Sequence, residues 1–129
     1  MALLETTVRI ALRWRDMDML GHLNQAVYHE LLEEGRGALI AAAGPHFEFV
    51  LARVELDYLA EVRREDGPVD VLTRVTELGR SKVVVAQEVV RAAGEVAASG
   101  SSVLVAWDPE ARRSRPLAPQ ERRALGEQG

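Results

Sequence analysis

Residues 13–28 read RWRDMDMLGHLNQAVY, and this stretch decides how the whole chain is interpreted. Within nine residues it holds Asp16, Asp18, Gly21, His22 and Asn24, between a strand-like run and a long helical pattern. Polar groups at a strand-to-helix turn are costly to bury unless they are paired. They also lie beside a helix N-terminus, whose free N–H groups stabilise negative charge. The turn is therefore suited to attack on a carbonyl carbon.

The periodicity on either side of this turn predicts one strand and one helix. Residues 7–14 alternate apolar and polar side chains, which is typical of a half-buried strand. From Asn24 the apolar residues keep to one face at helical spacing. Asn24 is a favourable N-cap and Gly44-Pro45 ends the pattern, so we expect a helix of about 20 residues. Gly35 and Gly37 make this helix thin, so that it can lie close to a sheet.

After the helix the period returns to two, and turn residues divide the rest of the chain into strands. The turns are predicted at residues 65–68, 79–81 and 93–94. The strands they separate are predicted at residues 50–60, from 69 to at least 75, at 83–91 and at 96–107. A polar connector over 112–119 precedes a short helix over 119–125. One strand, one long helix and an antiparallel meander predict a single α+β domain over residues 1–129, with the sheet curled around a central helix.

Composition limits the classes of function. The chain has 129 residues, 47% of them apolar, and a net charge of −4, which argues against nucleic acid as the main partner. It has no cysteine, so thiolate catalysis, disulfides and cysteine zinc sites are excluded. His29 and His46 lack metal-ligand spacing, and we expect no metal. No membrane span or signal peptide is evident, which favours a cytoplasmic protein.

The same stretch resembles the signature of a known family. Residues 16–28, followed by Glu33-Glu34-Gly35-Arg36, are similar to hotdog-fold acyl-CoA thioesterases of the 4-hydroxybenzoyl-CoA thioesterase-like branch, which includes the Tol-Pal-associated enzymes. Weaker matches lie at residues 54–59, 78–81 and 103–108, so the similarity spans nearly the whole chain. Gln25 replaces a usual Asn, and Glu61 replaces a frequent Pro. The resemblance implies a long central helix wrapped by a five-stranded antiparallel sheet.

The resemblance also implies the chemistry. Asp18 occupies the position of the family's catalytic carboxylate, and it could act either as nucleophile or as the base that activates water. An Asp that merely caps the turn is the structural alternative. Asp16 is interpreted as structural, paired with Arg13 or Arg15. His22 either orients the carboxylate, or hydrogen-bonds substrate or water, or holds the loop as a buried imidazole.

Backbone groups of the turn complete the predicted site. Asn24 is expected to cap the helix, and the backbone N–H of Asn24 or of Gln25 is the predicted oxyanion donor. Gly21 lets a thioester approach the chain closely. Tyr28 either lines an acyl pocket or packs in the core. Glu33 is the backup catalytic carboxylate, because some hotdog enzymes carry theirs on this helix.

A second substrate region is predicted at a hairpin. Arg80, Ser81 and Lys82 suit the phosphates of coenzyme A, although a solvated turn would look the same. The resemblance implies an acyl-CoA substrate, no cofactor, no nucleic acid or membrane partner, and a homodimer or homotetramer with the active site at the dimer interface. A non-catalytic hotdog protein that binds acyl-CoA or acyl carrier protein is the first rival hypothesis. A hotdog hydratase or dehydratase is the second, but its Asp/His motif is not found.

Overall fold

The computed structural model describes residues 3–44 and 47–128 of the chain. Five long strands and one long helix dominate it, which confirms the predicted α+β class. The strands are β1 (Glu5–Ile10), β2 (Phe49–Tyr58), β3 (Val69–Leu78), β4 (Lys82–Arg91) and β5 (Val96–Asp108). The helices are α1 (Val27–Ala43) and the short α2 (Pro119–Ala124), and a two-residue strand β6 (Arg113–Ser114) pairs with β5.

The strands form an antiparallel sheet in the order β1-β3-β4-β5-β2. The hairpins β3–β4 and β4–β5 are those that the turn residues predicted. β1 pairs with β3, and β2 pairs with β5 and not with β3. The predicted meander of four consecutive strands is therefore wrong for β2, and only β3, β4 and β5 form a meander. A register shift between Leu51 and Arg53 breaks the continuous apolar face that was predicted for β2.

Two sequence predictions about the ends of elements are wrong, and one is confirmed. β1 ends at Ile10, and Trp14, predicted to lie in it, begins a 3₁₀ turn and is 77% exposed. α1 begins at Val27 with Ala26 as its N-cap, three residues after Asn24, and has 17 residues. The predicted helix stop is found at Gly44, whose φ of 136° favours glycine. Pro45 and His46 lie outside the described residues.

Helix α1 packs mainly against β1, β3 and β4. A Cβ on Gly35 would lie 2.7 Å from atoms of Thr73 and Val71, so the expected close approach of the helix to the sheet is real at this position. The close approach does not extend to Gly37, where a Cβ would meet nothing within 4 Å. The opposite face of the helix exposes Glu33 and Glu34, so the sheet does not enclose the helix on most sides.

A buried polar layer divides the core into two clusters. One cluster surrounds Leu32 and the other surrounds Leu39. Between them, Arg36 Nη1 donates to Gln87 Oε1 and to Ser102 Oγ, both at 3.2 Å. Gln87 Nε2 donates to the Leu32 carbonyl at 3.0 Å and to Thr73 Oγ1 at 2.9 Å. Burial lowers the pKa of Arg36 from its ordinary value, and this layer supplies the acceptors that such a buried cation needs.

Candidate active site

The segment around Asp18 folds into a tight loop that holds its carboxylate. Asp18 Oδ1 accepts the backbone N–H of Leu20 at 2.9 Å and of His22 at 3.4 Å. Asp18 Oδ2 lies 3.2 Å from His22 Nδ1. The Gly21 N–H donates to the Asp18 carbonyl at 3.1 Å, and Gly21 has a φ of 80°, which a residue with a side chain rarely adopts. The Asp18 carboxylate is therefore oriented by its own loop, and the side chains of Asp18 and His22 are both half-buried.

Buried backbone contacts anchor this loop to the rest of the fold. Leu23 is buried, and its N–H donates to the Val62 carbonyl at 2.6 Å. Isolated β-bridges join Met17 to Leu23 and His22 to Arg63. The loop is thus attached to the segment between β2 and β3, far along the chain. A carboxylate held in this way meets the requirement that a reacting group be positioned in advance.

Asp16 has the structural role that was predicted for it. It is 3% exposed, and it accepts the Arg13 N–H at 2.8 Å and Arg13 Nη2 at 2.8 Å. Burial by itself would raise the pKa of Asp16, but the hydrogen bonds and charge of Arg13 outweigh it and hold that pKa below its usual value. Asp16 remains ionised and fixes the entry to the loop.

The hydrogen bonds of the amide groups just before α1 differ from those that were predicted. The Asn24 N–H donates to the Asp16 carbonyl at 2.9 Å, so this N–H is already occupied and the prediction of Asn24 as an oxyanion donor is wrong. Asn24 Oδ1 accepts the Ala26 N–H at 2.9 Å, so the side chain closes a turn before the helix and does not cap it. Within residues 3–44 and 47–128, the Gln25 N–H has no acceptor. The Gln25 N–H is therefore free to donate to a ligand.

A cleft of about 580 Å³ brings five of the ten predicted site residues together, and Gly21 is not among its lining residues. Asp18, His22, Asn24, Gln25 and Tyr28 all line it. The opposite wall comes from the end of β2 and the residues after it. The lining residues that sequence reasoning did not select are Leu20, Leu23, Tyr58, Leu59, Ala60 and Glu61. The cleft is therefore polar at the loop and largely apolar at its far wall.

Two tyrosines join the two walls of the cleft. Tyr28 is buried, and its ring meets that of Tyr58 edge to face, with centroids 5.1 Å apart and an interplanar angle of 89°. Burial raises the pKa of Tyr28. Tyr58 donates its hydroxyl hydrogen to the Gln25 carbonyl at 3.1 Å. Tyr28 thus belongs both to the core and to the cleft, which combines the two alternatives that were considered for it.

The hairpin with Arg80, Ser81 and Lys82 is not part of this cleft within one protomer. The cleft lies near the Tyr58 end of β2, which pairs with the Ala98 end of β5, whereas Lys82 pairs with Val105. Ala98 and Val105 are seven residues apart on β5, so roughly 24 Å along the strands separates the hairpin from the cleft. Lys82 Nζ lies 3.1 Å from Glu77 Oε2.

Glu33 also lies away from the Asp18 cleft. It is exposed and lines a separate groove with Arg13, Glu30 and Glu34. In the described part of the chain no group of three or more His, Asp or Glu side chains is arranged to hold a metal ion. None of the helices between residues 3 and 128, outside the gap at 45–46, has the length and apolar character that a membrane crossing requires.

A sequence profile identifies the family of the chain. The profile of the thioesterase superfamily matches residues 20–98, which is more than half of the chain and includes His22, Gln25 and the far wall of the cleft. The chain belongs to the thioesterase superfamily. The resemblance to hotdog thioesterases is thereby confirmed, and thioester hydrolysis is the general chemistry of the family.

Solved structures agree with the family. A thioesterase from Thermus thermophilus, in complex with coenzyme A and Zn, is 35% identical over 94% of this chain and 97% of its own, with a TM-score of 0.86. A predicted thioesterase from Bacillus stearothermophilus is 25% identical over 95% and 94%, with a TM-score of 0.82. A 4-hydroxybenzoyl CoA thioesterase mutant is 14% identical over 95% and 99%, with a TM-score of 0.85, and supports the hotdog fold alone. No curated protein sequence matches the chain significantly.

Proposed function

We propose that this thioesterase hydrolyses an acyl-CoA to a free carboxylic acid and coenzyme A. One observation carries the proposal: Asp18, whose carboxylate is oriented, and Gln25, whose N–H is unoccupied, line the same cleft beside the start of a 17-residue helix. A carboxylate and a backbone donor on one cleft are the two groups that attack on a thioester carbonyl requires. The coenzyme A in the Thermus thermophilus relative supports the substrate class.

In the proposed reaction Asp18 and the Gln25 N–H act on different atoms of the thioester. The thioester carbonyl carbon faces Asp18, and the carbonyl oxygen faces the Gln25 N–H. Either Asp18 attacks to form a mixed anhydride that water then hydrolyses, or Asp18 takes a proton from the water that attacks. In both cases negative charge develops on the carbonyl oxygen, and the C–S bond breaks to release the coenzyme A thiolate. The Gln25 N–H and the helix N-terminus stabilise that charge.

The other side chains of the cleft bind and orient. His22 Nδ1, 3.2 Å from Asp18 Oδ2, fixes the carboxylate direction when it carries a proton. Gly21 does not line the cleft but precedes His22, which does, and its lack of a side chain would leave room for the thioester close to the backbone. Tyr28, Tyr58 and Leu59 surround the acyl group. In this proposal no cofactor takes part, because the carboxylate and the amide supply both the attack and the charge stabilisation.

We further propose that the working unit is a homodimer joined through β2, with a homotetramer as the larger assembly. Within the described sheet β2 pairs on one side only, with β5, and it exposes Leu51 and Tyr58, each 47% accessible. Such a free apolar edge needs to be paired or covered. Antiparallel pairing of two β2 edges about a two-fold axis brings the Phe49 end of one copy beside the Tyr58 end of the other.

This dimer explains the position of the cationic hairpin. Phe49 of β2 pairs with Ala106 of β5, and the adjacent Val105 of β5 pairs with Lys82 of β4. In the proposed dimer the partner subunit's Arg80 and Lys82 would lie about three strand spacings from the cleft, roughly 15 Å, compared with roughly 24 Å within one protomer. Coenzyme A is long enough to reach from the cleft to this hairpin, where the cations would meet its phosphates.

A thiol-release assay over a panel of acyl-CoAs tests the proposal. We expect turnover with at least one acyl-CoA, and an acyl mass adduct on the Asp18 peptide in rapidly quenched reactions if Asp18 is the nucleophile. Binding of acyl-CoA without release of thiol across the panel would contradict hydrolysis and favour the non-catalytic binding protein. Release only from acyl carrier protein would contradict the choice of coenzyme A as the carrier.

A further inference from the structure

Tyr58 makes a contact with the site that the proposed reaction has not used. Its side chain lies at the end of β2, and its hydroxyl donates to the backbone carbonyl of Gln25 at 3.1 Å. The two residues are 33 positions apart in the chain. The contact therefore connects the sheet edge to the turn that precedes α1, across the mouth of the cleft.

The peptide groups on both sides of Gln25 are held, and only its N–H is left free. The Asn24 carbonyl accepts the Val27 N–H at 2.9 Å, which fixes the peptide group that carries the Gln25 N–H. In the next peptide group, the Ala26 N–H donates to Asn24 Oδ1 at 2.9 Å, and the Gln25 carbonyl accepts the Tyr58 hydroxyl. Of these three bonds, two form within the turn and its first helical residue. Tyr58 supplies the bond that comes from another element.

We propose that Tyr58 is a positioning residue that directs the Gln25 N–H into the cleft. This role rests on the proposed function, in which that N–H binds the developing oxyanion. A backbone donor stabilises that charge only if it points at the position that the oxygen occupies in the transition state. Without the bond to Tyr58, the peptide group after Gln25 is held on one side only, and rotation about the Gln25 backbone shifts Val27 and weakens its bond to the Asn24 carbonyl, which is the bond that holds the Gln25 N–H in direction.

A positioning role for Tyr58 differs from that of a residue that only forms the wall of the acyl pocket. A wall residue acts through its ring, which meets Tyr28 edge to face at 5.1 Å. A positioning residue acts through its hydroxyl. Tyr58→Phe keeps the ring and removes the hydroxyl, so the two roles predict different results for one variant.

The matched control is Thr76→Val. Thr76 Oγ1 also donates to a backbone carbonyl, that of Val84, at 3.2 Å from an exposed position on β3. Thr76 does not line the cleft. Both variants remove one exposed hydroxyl that bonds to a carbonyl, so a general effect of losing such a bond appears equally in both.

We expect Tyr58→Phe to lower kcat by about 3- to 10-fold, in line with the loss of one hydrogen bond in the transition state, with KM within about twofold. Thr76→Val should leave both constants unchanged, and thermal unfolding should show both variants folded at the assay temperature. In ¹⁵N–¹H NMR spectra of the substrate-free protein, the Gln25 and Ala26 amide signals should shift or broaden in Tyr58→Phe and not in Thr76→Val.

Each other outcome overturns the inference. An unchanged kcat in Tyr58→Phe, with an active wild type, overturns the role of Tyr58 and leaves the proposed hydrolysis intact. A raised KM with unchanged kcat assigns Tyr58 to the pocket wall. A lower kcat with unaltered amide signals excludes action through Gln25. A wild type that hydrolyses no acyl-CoA overturns the proposed function and this inference together.

Discussion

The loop at residues 16–25 and the hairpin at residues 79–82 were both expected to contact substrate, and their surroundings differ. In the loop, Asp16 and Asp18 find their partners within four residues, through Arg13 and His22. In the hairpin, Arg80 is exposed, and the Lys82 ammonium contacts only an exposed Glu77 among the described side chains. The loop is complete within one chain, whereas in the proposed dimer the role of the hairpin depends on where the second chain lies. Local pairing is therefore predictable from sequence in a way that long-range placement is not.

The largest expected effect comes from the loop. Asp18→Asn should lower kcat by roughly 10²–10⁴, because it removes the attacking or proton-accepting oxygen while preserving the shape of the side chain. Thiol release on the best acyl-CoA measures it, with urea unfolding to show that the fold is kept. Near-normal turnover in Asp18→Asn, with the loss appearing in Glu33→Gln, would move the chemistry to helix α1.

The second effect tests whether the hairpin needs a second chain. Leu51→Lys places a charge on the exposed β2 edge and should convert the proposed dimer to a monomer, with activity lowered roughly tenfold or more because an interface cleft loses the whole neighbouring subunit, of which the hairpin is only one part. Light scattering at micromolar concentration and thiol release measure the two quantities. Thr76→Lys adds the same charge away from that edge and should change neither. A fully active monomer would contradict an active site at the interface.

The third effect concerns the local pairing of the loop. Asp16→Asn should destabilise the protein at pH 7 by about 1–2 kcal/mol, because it removes the charge from a buried hydrogen-bonded pair. Since the pKa of Asp16 is lowered by folding, its contribution is complete above the unfolded pKa of about 3.9 and is lost as the pH falls through the folded value. Urea unfolding at pH 7 and pH 3 should therefore show a larger difference between variant and wild type at pH 7. A difference of equal size at both values would mean that charge plays no part.

The smallest effect concerns the hairpin. Arg80→Ala and Lys82→Ala should each raise KM for acyl-CoA by a few-fold and leave kcat largely intact, because a phosphate contact is equal in ground and transition states and exposed charge contacts are weak. The double variant should show more. Short thioesters without the nucleotide provide the control and should react at the wild-type rate. An unaltered KM in the double variant would identify the hairpin as a solvated turn.

Much of the fold could be predicted because periodicity is a local property. The order of one strand, one helix and four further strands follows from it, and so do the hairpins β3–β4 and β4–β5, but the pairing of β2 with β5 does not. The start of α1 was misplaced because Asn24 has two ways of satisfying amides, and its side chain closes a turn at Ala26 instead of capping the helix. Sequence patterns do not distinguish these alternatives.

The candidate site was predictable only on its loop side. Asp18, His22 and Gln25 are close in sequence, so their proximity needed no knowledge of the fold. The wall formed by Tyr58 and Glu61 depends on how the end of β2 returns over the turn, which no local pattern encodes. The occupation of the Asn24 N–H by the Asp16 carbonyl was likewise invisible, because it joins two backbone groups and involves no side chain.

The polar layer in the core has a consequence for the cleft at the far end of the same helix. Arg36 reaches Gln87 and Ser102 only when α1 has one axial position and one rotation over the sheet. A slip by one residue would move the helix by about 1.5 Å and turn it by about 100°, which would leave a buried cation without acceptors. The polar layer therefore fixes the register of α1 on the sheet. Because the helix is rigid, the polar layer also sets the position of its first turn, and of Gln25 just before that turn, relative to the cleft.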